Sequence, residues 1–146
     1  MLTTLGLFDT PDAPAVNRSS RVRASSLLAL QVVVAATILT TGSAKLMGVP
    51  MMVETFEHIG LGQWFRYVTG GIEVLSALAL LVQGTAALGA LVVVGTMVGA
   101  VAAHLFVIGG SAVPAVVVLV AAAGIAWARR GDLGASLAGA CSGRLA

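Results

Sequence analysis

Residues 25–50 read "SSLLALQVVVAATILTTGSAKLMGVP", and this stretch decides what kind of chain this is. No side chain from Ser25 to Ala44 carries a charge. At 1.5 Å per residue, such a run makes a helix of about 30 Å, the thickness of a bilayer's hydrocarbon core. Lys45 closes it. The basic flank of Arg18, Arg21 and Arg23 and the small residues Gly42, Ser43 and Ala44 would also suit a secretory leader. That flank starts late, however, and the run is long enough to span, so a membrane helix is the better reading.

Composition extends this reading to the whole chain. Of 146 residues, 58% are hydrophobic and 10% are charged, where a soluble domain carries about 25% charged residues. Mean hydropathy is +1.02. Four spans of about 20 residues use most of the length, leaving no room for a separate soluble domain. The net charge of +2 is too small to suggest a nucleic-acid partner. Cys141 stands alone in a Gly/Ala/Ser tail, so no intrachain disulfide forms.

Further spans are expected at 65–82, 86–109 and 112–128. The last opens with Pro114 in its first turn, where a missing N–H costs little. The links "QGT" and "GSA" are short and make consecutive helices antiparallel neighbours. The fold expected is all-α: a four-transmembrane-helix bundle (residues 25–128), preceded by a basic arm (1–24) and followed by a tail (129–146). Arg18, Arg21, Arg23, Arg129 and Arg130 lie on one side and Lys45 and Arg66 on the other, which puts both termini in the cytoplasm of a bacterial-type inner membrane. Trp127 then marks the cytoplasmic interface, and Trp64 with Tyr67 the outer one.

Between the first two spans, "PMMVETFEHI" (50–59) starts at a proline and stops at Gly60 or Gly62. Met52, Phe56 and Ile59 share one face, while Glu54, Glu57 and His58 lie elsewhere around the helix. A short amphipathic helix on the outer surface is expected, forming a rim or lid over the bundle. In the third span, Gly95, Gly99 and Ala103 form a small-residue ridge expected to face another helix, within the bundle or in a neighbouring subunit.

The ionisable residues point to function. Glu73 lies nine residues past Trp64, roughly 13 Å deep in the bilayer, where a carboxylate needs a partner. Arg66, seven residues earlier, shares its face. His104 approaches the outer end of the third span, and the stem of Lys45 can bend back by about 6 Å. Singly, each has a bland account: packing for Glu73 and His104, snorkelling for Lys45 and Arg66. Together they place an acid, two bases and an imidazole in one leaflet, as a polar pocket would. Lys45, Glu73 and His104 are the candidate catalytic residues. Arg66, Glu54, Glu57, His58, Phe56 and Trp64 are the candidate ligand-binding ones. Glu54 and His58 could supply two metal ligands, but no third is assured, so no metal is expected.

"GSAKLMG", "MMVETFEHIGLGQWFRYVTGGIEV" and "MVGAVAAHL" resemble the DoxX-like family of small four-helix membrane proteins. The likeness rests on Gly42, Lys45 and Leu46, on Phe56, on Gly70 and Glu73, and on His104. It implies a four-helix membrane fold and quinone-linked redox work beside a membrane partner.

The leading expectation is a pocket for a lipophilic small molecule, a quinone being the cofactor the resemblance suggests. Lys45 and His104 would donate to its oxygens, and Glu73 would accept or relay a proton. One rival is a cofactor-independent membrane enzyme performing isomerisation, cyclisation or epoxide opening on an apolar substrate. Another is a proton-coupled transporter, against which Lys45 and Arg66 would repel a cation. The last is a non-catalytic interaction subunit; a homo-oligomer or a membrane redox partner is the association expected.

Overall fold

The computed structural model describes residues 18–132, with side chains from Val22 onward. Cys141, the chain before Arg18 and the side chains of Arg18 and Arg21 lie outside the described residues. Among the described residues, the helices in order are α1 (Arg18–Met47), α2 (Pro50–Ile59), α3 (Gln63–Leu81), α4 (Ala86–Ala103) and α5 (Val113–Ala128). A single π-helical turn, His104–Ile108, prolongs α4. The described part of α1 runs from Arg18, so the stretch 18–24 ahead of the span expected at Ser25 belongs to the helix.

Glycine and proline set the breaks. α1 stops because Gly48 adopts φ 70°, a left-handed conformation that costs glycine little. Its amide donates to the Lys45 carbonyl (3.3 Å), and the Val49 amide to the Ala44 carbonyl (3.1 Å). This paired pattern satisfies carbonyls that the helix itself leaves free. Pro50 then starts α2, and Gly60, at φ 78°, ends it.

Among the described residues, three segments are long and apolar enough to cross a membrane: Val22–Met47, Gln63–Leu81 and Ala86–Ile108. Val113–Ala128 is a shorter apolar helix. α1 packs on α3, α3 on α4, α4 on α5, and α5 returns to α1, closing a four-helix ring. Val34 and Ile38, Ala77 and Leu80, Ala90 and Val93, and Ala122 and Ile125 meet in its core. In lipid the hydrophobic effect does not drive helices together, so close van der Waals approach must.

That approach happens at three glycines. A Cβ on Gly89 of α4 would sit 2.7 Å from the Leu80 amide nitrogen and 2.8 Å from the Ser76 carbonyl oxygen. Gly42 of α1 and Gly70 of α3 face each other, each placing a Cβ position 3.0–3.1 Å from the other's carbonyl oxygen.

Within the bundle, Gly95 and Gly99 of the expected ridge meet no other helix. Gly95 and Gly99 are exposed, and a Cβ on either meets nothing within 4 Å. The reason is helical phase: Ala90, Val93 and Met97 occupy the inward face, turning Gly95 and Gly99 outward. Gly99→Leu should therefore leave thermal stability in detergent unchanged, and a drop in melting temperature would contradict this outward placement.

Candidate functional site

The first turns of α3, the last turns of α1 and the inner face of α2 converge on one polar cluster. Its centre is an ion pair, Lys45 Nζ to Glu73 Oε1. Glu73 sits ten residues into α3 and is buried, with 3% of its side chain exposed against 15% for Lys45. The Gly42–Gly70 crossing makes the pairing possible: with no side chain on either, α1 and α3 come close enough for Lys45 to reach Glu73. The Thr41 hydroxyl lies 3.4 Å from Glu73 Oε2 and 3.1 Å from the Ile38 carbonyl. Its single proton serves one of them at a time. One turn deeper, the Ser76 hydroxyl donates to the Glu73 backbone carbonyl (2.8 Å).

Arg66 forms the second layer. Although it starts within a turn of the end of α3, it does not snorkel outward; it is 4% exposed. Nη1 donates to the Lys45 carbonyl at the end of α1, and Nε donates to Gln63 Oε1 (2.7 Å). The guanidinium also stacks on Tyr67, 4.3 Å from the ring centroid. Gln63 Nε2 in turn donates to the Val53 carbonyl of α2 (3.2 Å). A chain of hydrogen bonds thus ties α1, α3 and α2 together around the Lys45 carbonyl.

α2 roofs the cluster. Its amphipathic pattern buries Phe56, while Glu54, Glu57 and His58 remain exposed on the other side. The Lys45 ammonium lies 5.9 Å from the Phe56 ring centroid, and Phe56 packs on Phe65 at 5.9 Å. Trp64 stands edge-on to Phe65 and is otherwise exposed.

His104 does not join the pair through any hydrogen bond. Its ring Nδ1 lies 3.2 Å from the Gly109 carbonyl, and its own carbonyl accepts from the Gly109 amide (3.0 Å). It closes the π turn, which packs against α2. Glu54 contributes its backbone carbonyl to His58 Nδ1 (2.9 Å) within α2. No group of three or more His, Cys, Asp or Glu side chains comes together among the described residues.

Sequence reasoning passed over Gln31. It is 1% exposed in α1, and its Nε2 donates to the Leu80 carbonyl near the end of α3. Its Oε1 is enclosed without a partner. A lone glutamine inside an apolar run was the available signal, since such a group must find a hydrogen bond in lipid. At the same end of the bundle, Leu91, Val94, Ala123, Ala126, Trp127 and Arg130 line an open apolar groove of about 370 Å³ between α4 and α5. It is remote from Lys45 and Glu73.

The match to known proteins runs through this cluster. A model of the DoxX-like family matches residues 29–138, a segment that holds every residue of the site. No curated protein and no solved structure matches the chain. Matched over well over half its length and built of apolar helices, the chain is a membrane protein and belongs to the DoxX-like family.

Proposed function

We propose that the protein crosses the membrane four times and binds the polar head of a lipophilic small molecule at Lys45, Glu73 and Arg66, beneath α2. The observation that carries this reading is the buried Lys45–Glu73 pair. Well-packed apolar residues can stabilise a helix crossing at least as well as a buried ion pair does, so charge retained there points to function. α5 spans about 24 Å, which its following turn lengthens toward the full hydrocarbon core. The Lys and Arg balance places both termini in the cytoplasm and α2 on the outer surface. There α2 acts as the lid: Gly48, Gly60 and Gly62, all at positive φ, flank it as swivels.

A quinone suits the donors of this site. Lys45 and Arg66 offer N–H groups for carbonyl oxygens, and Phe56 and Phe65 offer faces for a ring. When bound it would supply two-electron redox chemistry, with a membrane partner as the electron source. The direct contact of an ammonium with a carboxylate also supports a second reading, proton transfer on an apolar substrate. Turnover of the bound compound without any electron donor would select that one.

Mass spectrometry of protein purified in mild detergent tests the site itself. Wild type should carry a stoichiometric lipophile, and Glu73→Gln should lose it while keeping its helical content. A Glu73→Gln protein that retains the same compound would overturn the assignment.

A further inference from the structure

The charges of this cluster do not balance. Lys45 and Glu73 neutralise each other, but Arg66, equally withdrawn from solvent, has no carboxylate within ion-pair distance among the described residues. Glu57 and Glu54, the next acids in sequence after Glu73, are exposed on α2 and pair with neither Arg66 nor Lys45. Of the five N–H donors of a guanidinium, Nε and one on Nη1 are engaged, by Gln63 and by the Lys45 carbonyl. The remaining three find no acceptor in the described chain. Nη2 is not fully enclosed.

Capping explains part of this arrangement. The carbonyl end of α1 carries about half a negative charge, and Arg66 sits on it. The offset is incomplete, however. The first turn of α3 opposes it with amides that no side chain caps, and these add positive potential at the same place. Gly48 keeps the approach clear: an ideal Cβ there would lie 3.6 Å from Nη1 and 3.7 Å from Nη2. A buried cation short of countercharge in a low-dielectric setting favours an anionic occupant.

Resting on the site proposed above, we infer that the ligand is a lipophilic anion, a carboxylate or phosphate on an apolar body. Arg66 receives its oxygens in the planar two-point geometry that guanidinium offers. Phe56 and Phe65 lie beside the apolar body, and the Lys45–Glu73 pair borders the head. The site then discriminates by head charge and tolerates variation in the tail.

The full-length protein in phosphatidylcholine nanodiscs is tested with three probes sharing one chain: oleate, oleyl phosphate and oleyl alcohol. Saturable binding of at least one anionic probe should exceed that of the alcohol by about tenfold or more, the worth of one charge-assisted hydrogen bond over a neutral one. Arg66→Gln should erase the preference, and Arg66→Lys should keep part of it. Equal binding of all three by wild type would overturn the inference while leaving the lipophile site standing. Equal weakening of all three by Arg66→Gln would overturn it too, by reducing Arg66 to a cap of α1. Should Arg66→Gln fail to fold, the wild-type preference and Arg66→Lys decide. Binding of no probe, with nothing co-purifying, would remove the site itself. Displacement of oleate by phosphatidylglycerol nanodiscs would identify a bilayer headgroup as the source, displacement by inorganic phosphate would identify a free anion, and displacement by neither would leave a free lipophilic acid.

Discussion

Lys45→Met should destabilise the protein by about 3–5 kcal/mol, the usual cost of removing one partner of a buried ion pair. The loss is expected to exceed that of Glu73→Gln, because the two partners differ in their escape routes. Glu73 lies mid-helix with 3% of its side chain exposed, and without Lys45 only the Thr41 hydroxyl, 3.4 Å away, remains near it. Lys45 has a long stem in the last turn of α1 and 15% exposure, so it can swing outward. The glutamine carbonyl also still accepts a hydrogen bond from it, which holds the cost of Glu73→Gln to about 1–2 kcal/mol. The double variant Lys45→Met/Glu73→Leu should recover most of the loss, since replacing both charges removes the unpaired one. Denaturant titration in detergent micelles gives all three values. Lys45→Met within 1 kcal/mol of wild type, or no worse than Glu73→Gln, would contradict the pairing.

Gly89→Ala should cost about 1–3 kcal/mol, an overpacking penalty from one methyl group. The new Cβ would meet backbone at 2.7, 2.8 and 3.0 Å, at Leu80, Ser76 and Ala79. Backbone cannot rotate away, so α4 must move off α3. Gly70→Ala should act similarly between α1 and α3, where the Lys45 Cβ (3.0 Å) and the Gly42 carbonyl oxygen (3.1 Å) are the obstacles, and it should also loosen the Lys45–Glu73 contact. Gly95→Ala is the control. Open space surrounds it, and alanine's better helix propensity gains up to about 1 kcal/mol. Melting temperatures of the three variants check the order, and Gly89→Ala matching Gly95→Ala would refute the close approach.

The helices themselves were open to reading along the chain. Apolar runs of bilayer length bounded by Gly48, Pro50, Gly60 and Pro114 leave little choice of boundary, and apart from α1, which is helical already at residues 18–24, the observed ends lie close to those expected. The union of Lys45 and Glu73 was legible for an electrostatic reason. A carboxylate deep in an apolar helix must find a cation, and the end of the first span held one. The burial of Arg66 was not legible, because a residue one turn from a helix end can point either way. Which way it points depends on the Lys45 carbonyl, 21 residues away in sequence.

His104 and the glycines show where reading along the chain stops. In a soluble helix the polar stripe reveals which side faces the core. α4 and α5 are apolar all round, so no such stripe exists to orient Gly89 inward and Gly95 outward. His104 is set by a π turn, a local change of pitch that the spacing of residues does not announce. The sequence by itself therefore determined that this chain is a set of membrane helices with a short amphipathic insert and a few costly charges, because solvent transfer and chain length act locally. Only the tertiary structure decided which glycines touch, that Gln31 caps α3 and that Arg66 turns inward. Those choices depend on the rotation of one apolar helix against another, which is fixed by shape and close contact between distant residues.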